Sequence, residues 1–552
     1  VKQAALWFAL AAFAATLGPA LAQEPSAAAS PSAEELIARS KAVEDAAHRP
    51  EAERETWEFH ASSLDGTLEL VRRGDDSVTD STLGPFHTER GVWHGQHWHQ
   101  NENGETVLER PEPSQSERIV TQTVERVREP VDAWALTTTY ASGHITRIFY
   151  DPRTYYVVRS EKTAAGRTTH TNYDDYRTDA RGRTRFWHYY GGDDRPDNDF
   201  DYRLTSDDTS TEVAEADVAI PRDRRTLVEF PVGIDTVRLP ARVENDRIYV
   251  RLNIAGRGLD FLLDTGASAI TINETVAHEL KLPIYGRSTQ TIAGSFVTAR
   301  VVAPEIAIGP LTMHDVVLRT VPLASDESRD TRIVGLLGFD FLDAVGLKID
   351  YENGIVDATR PGSLVVPTSA TPLDVRLNSG WPAVHATVGE ASGDDFILDT
   401  GAAVTYVVFQ RFTRAHPEAF GDETDPATLT ASGVGGTMPF RTVAAKRIGI
   451  GPLSFDDERG GDEAVSANAL GFDNEDGLIG GDILKLFNVY LDYGSSRVYL
   501  EPNGREPMLE AGGETAPAAG LRETSRGTPA SHETESERGA HGSARPSSRG
   551  RR

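Results

Sequence analysis

The sequence predicts a mainly β protein: a two-lobed β region in its second half, preceded by an antiparallel β domain that opens with a helix. Three observations carry this. Residues 236–504 hold one set of landmarks twice. Residues 57–220 alternate short apolar–polar segments such as Ala133-Trp-Ala-Leu-Thr-Thr-Thr-Tyr and Ile145-Thr-Arg-Ile-Phe-Tyr with Gly, Asn and Asp turns, the signature of antiparallel strands. Residues 33–49 read as one helical stretch, with Leu36, Ile37, Val43 and Ala47 on its apolar side and Pro50 at its end.

Composition narrows the function. The chain has 552 residues, a formal net charge of −28 and no cysteine. The absence of Cys excludes disulfides, thiolate metal sites, iron–sulfur clusters and Cys nucleophiles. The acidic excess argues against nucleic acid or an anionic membrane surface as the main partner. Lys2, the apolar run Ala4–Leu17, the Gly18-Pro19 break and Ala20-Leu21-Ala22 form a three-part export signal too short to span a bilayer. Residues 1–22 are therefore expected to be a signal peptide, with no transmembrane segment after its removal and a periplasmic or secreted location. Residues 505–552 are rich in Gly, Ser, Pro and Thr, and a disordered tail is expected there.

The repeat carries the chemistry. Phe261-Leu-Leu-Asp-Thr-Gly-Ala-Ser is matched by Phe396-Ile-Leu-Asp-Thr-Gly-Ala-Ala, offset by 135 residues. Ile306-Ala-Ile-Gly-Pro-Leu is matched by Ile448-Gly-Ile-Gly-Pro-Leu, and Gly335-Leu-Leu-Gly-Phe-Asp-Phe-Leu by Gly477-Leu-Ile-Gly-Gly-Asp-Ile-Leu, both offset by 142 residues. A lone Asp-Thr-Gly is expected about 0.1 times in a chain this long; two copies with matched partners in one order are not chance. The lobes are placed at 236–360 and 361–504, after an N-terminal β domain at 23–235.

A carboxylate at a strand end, in a loop tightened by Thr and Gly, is half of an acid–base pair. Two such carboxylates a few ångströms apart cannot both ionise cheaply, so they share one proton, and one acts as base while the other acts as acid. A water between them can then attack an amide with neither metal nor covalent intermediate. These motifs resemble those of the retropepsin-like and pepsin-like aspartic peptidases, whose pattern is Asp-Thr-Gly followed by a hydrophobic–hydrophobic–Gly strand in each lobe. The resemblance covers about half the chain. It implies the two-lobed acid-protease β-barrel fold, a peptide or protein substrate, no cofactor and no metal. It further implies Asp264 and Asp399 as the catalytic dyad, Thr265, Gly266, Thr400 and Gly401 as its support, and Gly338 and Gly480 as structural glycines.

A flap hairpin is expected between each Asp and its downstream Gly. Gly294 and Phe296 are the candidates in the first lobe, and Gly433, Gly435 and Gly436 in the second. Phe296 stands where pepsins have a flap Tyr, and Ala follows Asp-Thr-Gly in both lobes where pepsins have Ser. A peptidase-like fold that binds peptides without cutting them is the alternative reading.

The N-terminal region, with Phe149-Tyr-Asp-Pro-Arg-Thr-Tyr-Tyr-Val-Val-Arg-Ser-Glu and Asn172-Tyr-Asp-Asp-Tyr-Arg, resembles the half-barrel of outer-membrane lipoprotein carriers. That resemblance implies a curved sheet over a helix and a possible lipid or lipoprotein ligand; a plain β scaffold or a domain controlling substrate access fits the same segments. Five of the seven Trp lie between positions 57 and 187, so one aromatic sheet face is expected. His94, His97 and His99 do not share a strand face, and a solvated strand or turn is expected there rather than a metal site. Asp197, Asp199 and Asp201 lack the Gly and Glu of a calcium loop and read as an acidic surface loop.

Overall fold

A computed structural model of the chain describes residues 30–44, 50–109, 118–141, 143–164, 166–179, 182–221, 226–292, 294–323, 333–378, 380–420, 425–463, 475–505 and 521–523. The expected signal peptide and most of the expected tail lie outside these residues. The chain divides into two units, Val1–Gly95 with Glu112–Ala219, and Gln96–Pro111 with Ile220–Arg552.

The first unit is an antiparallel sheet. Its spatial order runs Phe86–Trp93, Asp76–Leu83, Leu64–Arg73, Ala52–Ala61, Phe200–Asp208, Thr184–Gly192, Arg167–Thr178, Val157–Ala164, Ile145–Tyr150, Ala133–Tyr140 and Ile119–Val127. The helix Ala33–Glu44 lies against it through Leu36, which packs with Leu136 and Tyr150. Along Ala52–Ala61, residues Glu53, Glu55, Trp57 and Phe59 are buried in alternation and so share one face. Trp57 meets Tyr189 edge-on at 5.5 Å, and Phe59 and Tyr189 each stack on Tyr202 at 4.7 Å. The expected aromatic face is therefore present, but charge is buried at the other end of the same strand. Glu53 pairs with Arg72 at 2.9 Å and Arg183 at 2.5 Å, while Glu55 pairs with Arg185. Nothing in the local sequence distinguishes these acids from solvated ones; cross-strand arginines far along the chain make their burial tolerable.

Among the described residues, the second unit holds three sheets besides the hairpin of Gln96–Gln100 and Thr106–Glu109. In the first, the order is Ala241–Glu244, Arg247–Ile254, Arg257–Leu263, Gly335–Leu337, Thr271–Ile272, Leu311–Thr320, Ser295–Ile308, Ile284–Thr291. The second runs Arg376–Asn378, Trp381–Val388, Ala391–Asp399, Gly477–Gly480, Tyr406–Val408, Leu453–Glu463, Gly436–Ile450, Asp425–Gly433, then Leu521–Glu523. Strand for strand the two orders correspond, the last strand excepted. A third, six-stranded sheet takes three strands from each half, and Gly346–Asp350 pairs with Phe487–Asp492 at its centre. Alternation drives the core: Ile248, Val250, Leu252 and Ile254 are fully buried on one face of their strand.

Three differences from the sequence reading stand out. The second unit begins at Ile220 rather than at 236, because Leu227 and Val228 already pack into its core. It also takes in Gln96–Pro111, where Trp98 is 1% exposed rather than part of a solvated strand. Finally, Leu521–Glu523, within the segment expected to be disordered, pairs antiparallel with Leu429–Ala431.

Candidate active site

Each Asp sits where a strand gives way to a tight loop. Leu263 and Leu337 pair in parallel, and Asp264 N–H donates to the Leu337 carbonyl at 3.1 Å. In the second lobe Leu398 and Ile479 occupy the matching parallel positions, and the pairing runs one residue further to Asp399 and Gly480. Gly338 and Gly480 are required by close approach: a Cβ on Gly338 would lie 2.4 Å from the Ala267 carbonyl oxygen, and one on Gly480 would lie 2.1 Å from that of Val404.

Two threonines, each 1% exposed, lock the loops together. Thr265 Oγ1 donates to the Leu398 carbonyl at 2.6 Å, and Thr400 Oγ1 donates to the Leu263 carbonyl at 2.9 Å. Each hydroxyl in turn accepts from the other threonine's backbone N–H, at 3.1 Å from Thr265 and 2.9 Å from Thr400. Four buried bonds across the lobes fix the spacing of the residues next to them.

The carboxyls face each other. A Cβ on Gly266 would lie 2.6 Å from Asp399 Oδ2, and one on Gly401 would lie 2.6 Å from Asp264 Oδ1, so only glycine leaves room for the opposite carboxyl. Burial first, and then the charge of Asp399, hold Asp264 well above the ordinary carboxylate range. Burial also raises Asp399, opposed by hydrogen bonds from Gly401 and Ala402 and by contact with Asp264. The loops are unequal donors. Asp264 Oδ1 accepts from Gly266 N–H at 2.9 Å, whereas Asp399 Oδ1 accepts from Gly401 N–H at 2.8 Å and Ala402 N–H at 3.1 Å. Two donors at Asp399 favour its anion more than the single donor does at Asp264.

The expected flap residues lie at two hairpin tips. Ile284–Thr291 and Ser295–Ile308 form one hairpin, and Asp425–Gly433 and Gly436–Ile450 form the other. The tips meet: a Cβ on Gly294 would lie 2.4 Å from the Gly435 carbonyl oxygen, and one on Gly435 would lie 2.7 Å from Phe296 Cδ1. Gly433 and Gly436 pair across the second tip. Next to it, Val434 packs against an apolar cluster of Tyr249, Leu262, Ala267 and Leu336.

A brace on the first lobe has no signature in the sequence. The tip of the hairpin formed by Gln96–Gln100 and Thr106–Glu109 docks by its polar residues. Glu102 bridges Arg300, at 2.6 Å, and Arg319. Asn103 mimics a strand, donating to the Val317 carbonyl at 3.0 Å and accepting from Val317 N–H at 2.8 Å. Asn101 donates at 3.0 Å to Asp340, which also accepts from Ile270 N–H at 2.7 Å. Burial raises the Asp340 carboxyl to about 6.

His99 pairs with Glu109 at 2.9 Å, and His94 lies 3.5 Å from Asp76. Asp201 pairs with His188 at 3.0 Å rather than joining Asp197 and Asp199 about a common point. Among the described residues, Asp80, His87 and Glu89 do bring three ligand atoms within 4.8 Å of one another. They sit on adjacent strands, where spacing within one segment could not reveal them.

Residues 250–341 match the family model for the aspartyl protease. No curated protein matches the chain. Among solved structures, an aspartic proteinase from Irpex lacteus is similar at 13% identity and a TM-score of 0.33, over 49% of this chain and 98% of its own. A basic 7S globulin from soybean is similar at 12% identity and a TM-score of 0.29, over 49% and 96%. A putative outer membrane lipoprotein-sorting protein domain from Vibrio parahaemolyticus is similar at 11% identity and a TM-score of 0.25, over 34% and 94%. Among the described residues no helix is long and apolar enough to cross a membrane.

Proposed function

We propose that the chain is an exported aspartic endopeptidase whose catalytic residues are Asp264 and Asp399, contributed by two tandem lobes. The observation that carries the reading is the pair of facing carboxyls beside a reciprocal threonine lock. A water between them gives a proton to Asp399, and its oxygen attacks the peptide carbonyl carbon. Asp264 gives its proton to the carbonyl oxygen, so the tetrahedral diol forms neutral. Asp399 then protonates the leaving nitrogen, the C–N bond breaks, and a diol hydroxyl returns a proton to Asp264. The balance needs no metal or cofactor. The apolar cluster under Val434 supports a peptide side chain beside the dyad, and the two hairpin tips would exclude water once the peptide is seated.

The test is digestion of a peptide library by the full chain between about pH 3 and pH 8, the window of a tuned carboxylate pair. The wild type should cut, and Asp264→Asn and Asp399→Asn should not. A wild type that cuts nothing, or either variant cutting normally, rejects the reading in favour of peptide binding alone.

The half-buried aromatic face of the first unit favours a second, separate role: holding an apolar ligand such as a lipid or an acylated protein. Lipid extracted from the purified chain and lost on Tyr189→Ala would support it. A lipid-free preparation that binds no acyl probe would rule it out.

A further inference from the structure

The two lobes set different side chains beside their aspartates. In the first lobe Arg247–Ile254 runs antiparallel to Arg257–Leu263, and Tyr249 is opposite Leu262. Two residues further along both chains, the same register brings Arg247 level with Asp264. In the second lobe Ala383 is opposite Ile397, and the same count brings Trp381 level with Asp399. Strand alternation sends Ile248 and Val250 into the core, while Tyr249 packs with Ala267 and Leu336 under Val434. Arg247 shares that face with Tyr249.

Arg247 is half-buried. Its Nε is shielded from solvent and has no hydrogen-bond partner, and among the described residues no carboxylate pairs with it. Neighbouring acids are engaged elsewhere. Asp246 binds Lys485 at 3.0 Å and lies 3.5 Å from Arg505, and Glu244 lies 3.4 Å from Arg242. The facing loop of the second lobe brings Asp399, and Arg247 forms no ion pair with it. A Cβ on Gly481 would lie 3.2 Å from the Ala402 carbonyl oxygen and 3.7 Å from that of Asp246, the residue before Arg247. Its positive charge is felt by both aspartates. A shielded, unpaired guanidinium donor is costly until an acceptor arrives.

We infer that Arg247 recognises a carboxylate of the bound peptide on one side of the scissile bond, while Trp381 takes an apolar side chain at the matching place on the other. The inference rests on the peptidase reading. It makes the enzyme selective for acidic–apolar junctions, with one specificity residue from each lobe.

The test uses a peptide that the wild type cleaves, resynthesised with Glu, Gln or Lys at each position flanking the cut. At one position Glu should be preferred over Gln by roughly 10–100-fold in kcat/KM, the range for a hydrogen bond to a charged group. Arg247→Gln should bring that ratio to about 1, Arg247→Lys should keep part of it, and Arg247→Glu should invert it in favour of Lys. A wild-type ratio near unity at every position, or a ratio that survives Arg247→Gln, overturns the inference. If the wild type cuts nothing, the same ratios are read as peptide affinities. A Glu preference that vanishes in Arg247→Gln would then keep the inference while the peptidase reading falls, and no binding by any peptide would end both.

Discussion

The two lobes share one strand order and a reciprocal pair of threonines, yet differ at three places that touch chemistry. Asp264 accepts one loop N–H and Asp399 accepts two. Extending the strand register brings Arg247 level with the first and Trp381 level with the second. The first lobe is braced by Glu102 of the 96–109 hairpin, which bridges a buried Arg300 and a partly exposed Arg319, whereas Asp482, in the position matching Asp340, pairs with Lys485 where both side chains keep more than a quarter of their exposure. Duplication supplies a symmetric frame, and on the proposed peptidase reading the departures from symmetry would give two identical aspartates different tasks. Near-equal acids become a distinct acid and base only because their surroundings differ.

The comparison breaks most visibly at the dyad. Either Asp→Asn change should lower kcat by about 10³-fold or more, since each removes an obligatory proton carrier. Next comes the brace. Glu102→Ala leaves Arg300 buried beside Arg319 without the carboxylate that bridges them, and should cost about 3–5 kcal/mol in denaturant unfolding, whereas Asp482→Asn should cost less than about 1 kcal/mol. Equal losses would remove the asymmetry. Because the arginines hold the Glu102 carboxyl below its usual range, its contribution is present above the unfolded pKa and is lost as pH falls through the folded one.

The threonine lock should behave symmetrically. Thr265→Val and Thr400→Val should each reduce kcat by about 10–100-fold, the penalty for a small misplacement of the reacting groups, and a large difference between them would show that the lobes do not share the load. The smallest effect is on stability. Asp264 is raised by burial, so its favourable contribution is present below the unfolded pKa and gone once pH passes the folded one. Asp264→Asn should therefore melt higher than wild type at pH 7, and the gap should close at acid pH. A variant that melts lower at pH 7 would contradict the assignment of strain to this carboxyl.

Much of the second unit was legible in the sequence, because tandem landmarks report a repeated fold whatever lies between them. Asp264, Asp399 and the threonines announce themselves by spacing, and the glycines at 294, 435 and 436 by turn chemistry. Arg247 and Trp381 carry no motif; only strand register brings them level with the aspartates, and register is a property of paired chains. Asp340 lay within a matched Gly-x-Asp-x-Leu, but its burial depends on Asn101, 239 residues away. Nothing near Glu53, Glu55 or Glu102 in the sequence marks them for burial, because most of their arginine partners are distant in sequence. Trp98 was hidden by its polar neighbours, which suggested solvent where the fold supplies a core.

The most direct test is the pH dependence of kcat/KM for one cleaved peptide. The profile should be a bell: activity rises as the dyad loses its first proton and falls as it loses the second, above the ordinary carboxylate range. Both limbs should disappear in Asp264→Asn and Asp399→Asn. A profile that climbs through neutral pH without falling, or a bell that persists in either variant, would mean that these two carboxyls are not the acid and base.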